Sequence, residues 1–157
     1  MPEVFVASAI PAKILLPIDF STSSREAVEH AALLAEKFHA SIVMVHVVAG
    51  ETNAGGLKAN AERQFAVSVD GLKKRGIKAT TVVEVDKDVA SAILDVIERE
   101  KADLVVVSTH GTTGWHPMVF GSIAEKLLKL APVPVLLLRT EKPESTKARP
   151  HSLMEWW

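Results

Sequence analysis

The sequence contains no cysteine and no excess of charge of either sign. The absence of cysteine excludes disulfides, thiol nucleophiles and cysteine-ligated metals, and it is compatible with any cellular compartment. The 18 basic and 19 acidic residues are mixed along the chain, so the positive patches typical of nucleic-acid and membrane-surface binding are missing. We therefore expect neither a nucleic acid nor a membrane among the partners.

Long apolar runs and several well-known motifs are also missing. No run approaches the roughly 18 apolar residues of a transmembrane helix, and residues 1–12 lack the basic residues of a signal peptide. These absences predict a cytoplasmic protein. The phosphate-binding patterns G-x-x-x-x-G-K-S/T and G-x-G-x-x-G do not occur, nor does the G-x-S-x-G nucleophile elbow. Without such a motif we assign no catalytic residue. His110 and His116 lack the nearby carboxylates of a metal site, so we assign no metal ligand either.

The chain does have enough apolar content to fold as one domain. It has 157 residues, of which 48% are hydrophobic and 24% charged, and a chain of this kind can bury a core without metals or disulfides. We assign residues 1–139 to a single domain. Residues 140–157 form a charged, proline-containing tail that we expect to be mobile.

Hydrophobic periodicity divides the domain into alternating strands and helices. The predicted strands are residues 13–18, 41–48, 77–84, 102–107 and 133–138. The first predicted helix is capped by residues 19–22 and ends near residue 39. Three more helices are predicted at residues 58–74, 90–100 and 122–130. This alternation predicts an α/β fold, a doubly wound five-stranded parallel sheet of order 3-2-1-4-5 with helices on both faces.

A polar loop with three glycines follows the fourth predicted strand. Residues 108–122 read STHGTTGWHPMVFGS, and Ser122 with Glu125 has the pattern of a capping box at the start of the last helix. First-turn amides beside glycines favour an anion, most often a phosphate, although ordinary turns and a helix cap would also explain the pattern. In a sheet of this order the loop and Asp19 share the crevice between strands 1 and 4, where ligands bind.

Three segments of the chain resemble the universal stress protein family. They are ILLPIDFS at residues 14–21, VHVV at residues 45–48, and a block that runs from VVVSTHGTTG at residues 105–114 to FGSIAEKLLKLAPVPV at residues 120–135. Members that bind ATP share a pattern of Gly, two residues, Gly, nine residues, and Gly followed by Ser or Thr. Gly111 and the pair Gly121 and Ser122 match this pattern, whereas Ser108 replaces its first glycine.

The resemblance implies that ATP, ADP or AMP binds in the crevice, and it leaves Mg²⁺ open as a companion. Thr112 stands where members often have a basic residue, which puts a preference for ATP in doubt. The residues implied around the base and ribose are Pro17, Ile18, Asp19, Val47, Val107 and Ser108. Those implied around the phosphates are Thr109, Gly111, Gly121, Ser122 and Ile123. Asp19 could instead be a simple helix cap, and Thr109 a turn residue.

Two classes of function remain open from the sequence. The resemblance implies a nucleotide-linked regulator of the stress response with at most slow ATP hydrolysis, and a hydrolase related to this fold is a more distant possibility. The alternative is a dimeric interaction module of the same fold whose nucleotide pocket does not function.

The fifth predicted strand is expected to lie at an edge of the sheet. An apolar edge with unpaired backbone groups favours pairing with another strand, and the resemblance also implies a homodimer through this strand, with Val133, Val135 and Leu137 at the interface. The alternative is a monomer whose own tail, through Trp156 and Trp157, covers the edge.

Overall fold

The computed structural model describes residues 10–50, 52–109 and 121–139. Within these ranges, strands and helices alternate without exception. In chain order they are β1 Lys13–Pro17, α1 Thr22–Phe38, β2 Ser41–Val48, α2 Ala54–Lys74, β3 Ala79–Val85, α3 Val89–Glu100, β4 Leu104–Ser108, α4 Ser122–Leu130 and β5 Val135–Leu138. The predicted tail at residues 140–157 lies outside the described residues.

The strands form one five-stranded parallel sheet of order β3-β2-β1-β4-β5. The predicted fold class and strand order are therefore confirmed. β1 lies at the centre, and its Ile14, Leu15 and Leu16 side chains are fully buried. These side chains alternate between two hydrophobic clusters, because successive residues of a strand point to opposite faces. One cluster includes α1 and α2 residues and the other α3 and α4 residues.

The start of α2 differs from the prediction. The helix begins at Ala54, four residues before the expected start, although residues 49–57 have the composition of a loop. Asn53 adopts a left-handed conformation, and its carbonyl accepts a hydrogen bond from Leu57 N at 3.2 Å. A Cβ at Gly56 would lie 2.7 Å from Asn53 Oδ1. Glycine at this position therefore allows the asparagine side chain to lie over the first turn.

The two edges of the sheet differ in polarity. β3 is exposed at Thr80 and Thr81 and, at its last residue, at Val85, whereas the side chain exposed on β5 is Leu136. Val135 and Leu137 are half-buried, because they pack against the cluster under α3 and α4. No helix in the described part of the chain is long and apolar enough to cross a membrane.

Candidate functional site

A crevice of about 240 Å³ opens at the carboxyl ends of β1, β2 and β4, beside the first turn of α4. It brings together ten of the eleven residues that the sequence assigned to the site. These are Pro17, Ile18, Asp19, Val47, Val107, Ser108, Thr109, Gly121, Ser122 and Ile123. The eleventh, Gly111, lies outside the described residues.

Sequence reasoning missed six residues that also line the crevice. They are Ser24, Val45, His46, Val89, Ile93 and Ala124. Part of this set had a usable signal: Val45 shares a strand face with Val47, and Val89 and Ile93 share a helix face four residues apart. His46 had none, because alternation along β2 turns it to the face opposite Val45 and Val47. Ser24 had none, because its place depends on how α1 enters from β1.

The loop between β1 and α1, residues 18–21, presents Asp19 at the mouth of the crevice. Asp19 Oδ1 accepts a hydrogen bond from Ser21 N at 2.9 Å. The N-cap of α1 is Ser21, whose Oγ accepts from Ser24 N at 3.3 Å. The interpretation of Asp19 as the cap of this helix is therefore wrong. Its exposed carboxylate is placed beside the crevice by a tight turn.

Thr109 carries a buried hydroxyl at the end of β4. The residue is 8% exposed, and its backbone N–H donates to Leu138 O at 2.9 Å. Its Oγ1 has no hydrogen-bond partner among the described residues. Leaving a buried hydroxyl unpaired costs about 1–3 kcal/mol. A ligand oxygen in the crevice would remove that cost.

The N-terminus of α4 lacks the predicted capping box. Its N-cap is Gly121, at φ 81° and ψ 147°, and no side chain of the described residues caps the helix. The Glu125 carboxylate instead accepts a hydrogen bond from Lys129 Nζ at 2.8 Å, one turn further along the helix. The first intrahelical bond runs from Glu125 N to Gly121 O at 3.0 Å, so the amides of residues 122–124 precede it. Amides at this end of a helix favour an anion.

The N-terminus of α3 is joined to α4 on the same side of the sheet. Asp88 caps α3, and its Oδ1 accepts from Ser91 N at 3.1 Å. Its Oδ2 accepts from Lys126 Nζ at 3.4 Å. The Ser91 amide and hydroxyl hydrogen bonds, assisted by the Lys126 charge, hold the pKa of Asp88 below its ordinary value. The described residues contain no group of three or more His, Asp or Glu side chains that could hold a metal ion.

Comparison with known proteins identifies relatives over most of the chain. A universal stress protein of Methanocaldococcus jannaschii is 33% identical over 144 residues, which cover 84% of this chain and 84% of that protein. Two solved structures share the fold. A universal stress protein in complex with cAMP is 20% identical, with a TM-score of 0.68, over 85% of this chain and 100% of its own. A universal stress protein from Archaeoglobus fulgidus in complex with dAMP is 20% identical, with a TM-score of 0.65, over 82% of this chain and 98% of its own.

The family model of universal stress proteins matches residues 12–139. This range contains every strand and helix of the sheet described above. It also contains the three segments whose resemblance the sequence suggested. The chain belongs to the universal stress protein family.

Proposed function

We propose that the crevice binds an adenine nucleotide, ATP, ADP or AMP, and that binding links this chain to a cytoplasmic stress response with at most slow hydrolysis. One observation carries the proposal. The crevice combines an acidic side chain, a helix N-terminus without a side-chain cap, and a buried hydroxyl without a partner among the described residues.

The residues of the crevice match the parts of a nucleotide. Val47 and Val107 offer apolar surface to the base, and the Asp19 carboxylate can accept from a ribose hydroxyl or the adenine amino group. The amides of Ser122 and Ile123 face a site for phosphate at the start of α4. Gly121 allows a phosphate oxygen to approach the backbone, because a Cβ built there meets no atom of the described residues within 4 Å.

The charges around the crevice favour a small phosphate group. Among the described residues that line it, none is a lysine or an arginine. Lys126, on the first turns of α4, pairs with Asp88. Neutralisation then depends on the helix dipole, which acts over a short distance. We therefore expect AMP, ADP and ATP to bind within about tenfold of one another, corresponding to about 1.4 kcal/mol. The ligands of the two solved relatives, cAMP and dAMP, are both monophosphates, so AMP is the nucleotide to test first.

The substitution Thr109→Val tests the proposal with two effects of opposite sign. Valine keeps the volume and removes the buried hydroxyl, so the nucleotide-free protein should become more stable, by about 1 kcal/mol in urea unfolding. Affinity for AMP should fall about tenfold in calorimetry, because a hydrogen bond to phosphate is charge-assisted. Thr80→Val, at an exposed position on the β3 edge, is the control and should change neither quantity.

The results separate the two functions that the sequence left open. A wild-type chain that binds no adenosine phosphate at millimolar concentration would refute the proposal and favour the interaction module. Equal AMP affinity in wild type and Thr109→Val would remove Thr109 from the site.

We also propose that the chain forms a homodimer through the β5 edge. Leu136 on that edge is 38% exposed, and Leu128 and Leu130 on the adjoining α4 are exposed as well. Val133, Val135 and Leu137, expected at the interface, are half-buried against the chain's own core. Pairing would then use the backbone of β5 together with Leu136 rather than those three side chains.

A further inference from the structure

We propose that His46 is a positioning residue for the crevice: it holds the loop of residues 18–21, and so Asp19, from the opposite face of the sheet. This inference rests on the proposed nucleotide-binding function. It assigns to a β2 side chain the task of fixing the part of the site that meets the base and ribose.

His46 contacts that loop on the α1 and α2 face of the sheet, and it also lines the crevice. Val45 and Val47 on β2 pack with the cluster under α3 and α4, and alternation turns His46 between them to the α1 and α2 face. There its Nδ1 lies 2.7 Å from Ile18 O. Because a carbonyl oxygen only accepts, Nδ1 carries the proton and donates the bond.

The same imidazole also contacts the residue on the other side of Asp19. The rings of His46 and Phe20 have centroids 4.8 Å apart at an interplanar angle of 44°. Phe20 has a φ of 63°, a left-handed conformation that a bulky side chain adopts only when its surroundings impose it. His46 therefore fixes Ile18 through a hydrogen bond and Phe20 through a ring contact, and Asp19 lies between them.

Phe65 of α2 completes this support. Its ring centroid lies 5.0 Å from that of Phe20, and the residue is 2% exposed. The Ile18 backbone N–H donates to Val45 O at 2.8 Å. This bond extends the pairing of β1 with β2 and does not involve the His46 side chain. The stretch from Ile18 O to Ser21 lies beyond that bond. Its geometry depends on the His46 and Phe20 pair and on the turn closed by Asp19.

Two substitutions separate the hydrogen bond from the bulk of the ring. His46→Asn keeps an N–H donor at about the distance of Nδ1 from the backbone, whereas His46→Leu fills a similar space without a donor. In calorimetry with AMP we expect the leucine variant to bind about tenfold more weakly and the asparagine variant within about threefold of wild type, since one hydrogen bond changes an equilibrium by about this factor. Met44→Leu, on the same strand face and fully buried, is the control for altered packing and should bind AMP normally.

A second readout needs no nucleotide. Hydrogen exchange of the Ser21 amide, which Asp19 Oδ1 holds, should quicken severalfold in His46→Leu and stay near the wild-type rate in His46→Asn and Met44→Leu. Equal Ser21 exchange in all four proteins, or AMP binding by His46→Leu at wild-type affinity, would overturn the inference. A wild-type chain that binds no AMP would refute the proposed function, and Ser21 exchange would still decide whether His46 holds the loop.

Discussion

Two residues at the ends of β4 and β1 carry unfavourable features, a buried hydroxyl and a left-handed backbone. The Thr109 hydroxyl is buried without a partner among the described residues, and Phe20 has a left-handed backbone beside Asp19. Features of both kinds cost stability and cluster at binding sites. Thr109 lines the crevice, whereas Phe20 packs against the core beside His46 and Phe65 and is the neighbour of Asp19.

Gly121 provides a prediction at this scale. Its φ of 81° and ψ of 147° lie in a region that only glycine adopts without strain. Gly121→Ala should lower the free energy of unfolding by about 1–3 kcal/mol and weaken AMP binding, because the new methyl group lies where a phosphate would approach. Urea unfolding and calorimetry measure the two effects.

Gly71→Ala is the matched control for that substitution. Gly71 is an exposed interior position of α2 where a Cβ meets no atom within 4 Å among the described residues. Alanine should therefore stabilise the protein, by about 0.5–1 kcal/mol, and leave AMP affinity unchanged. If Gly121→Ala behaved like Gly71→Ala, the phosphate site would not lie at α4.

At the scale of elements, α3 and α4 form the wall of the crevice, and their starts are joined by Asp88 and Lys126. Because folding lowers the pKa of Asp88, its contribution to stability is present above the ordinary aspartate pKa of about 3.9. That contribution is lost as the pH falls through the lowered value.

The variant Asp88→Asn tests this connection. Asparagine caps helices as well as aspartate does, so the melting temperature at pH 7 should change little. Between pH 5 and pH 3 the variant should lose less stability than wild type. Melting curves across that range check the expectation, and parallel curves for the two proteins would show that Asp88 makes no pH-dependent contribution.

The alternation of elements was predictable because the core is built from long, uniformly apolar strands. Six strand boundaries, in four of the strands, and the starts of α2 and α3 differ from the prediction by one to four residues. The α4 cap was wrong as well, because these features depend on local competition between side chains. The Glu125 carboxylate could accept either from a backbone N–H at the start of its own helix or from Lys129 Nζ. The sequence does not indicate which of these two hydrogen bonds is preferred. The ten described candidate residues came from the family resemblance, and their shared crevice was predictable because Asp19 follows β1 and the glycine-containing loop follows β4. His46 could not, since its role depends on Phe20 crossing the end of β2.

At the scale of the whole molecule, Leu136→Lys tests the proposed dimer. A lysine on the β5 edge opposes strand pairing, and Leu136 is the β5 side chain exposed enough to replace without opening the core. Val135→Lys and Leu137→Lys would disturb packing as well as pairing, because both side chains are half-buried. Light scattering should show a dimer for wild type and a weakened dimer for Leu136→Lys.

Val67→Lys is the control for that measurement. Val67 is 77% exposed on α2, which packs on β2 and β3 at the other end of the sheet. A chain without residues 141–157 should also remain dimeric, whereas the monomer alternative requires the tail. A wild-type monomer at micromolar concentration, or a dimer unaffected by Leu136→Lys, would contradict the proposal.

The unequal edges of the sheet also decide how far assembly can proceed. If β5 of one copy paired with β3 of the next, each added copy would leave a new β5 edge exposed. Growth would then continue as a filament. Pairing of β5 with β5 about a twofold axis covers both apolar edges in a single interface. The outer edges that remain are β3 strands, where the polar Thr80 and Thr81 side chains are exposed along the strand and Val85 at its end. The proposed dimer would therefore stop at two copies, and the same arrangement would protect the chain against fibre formation.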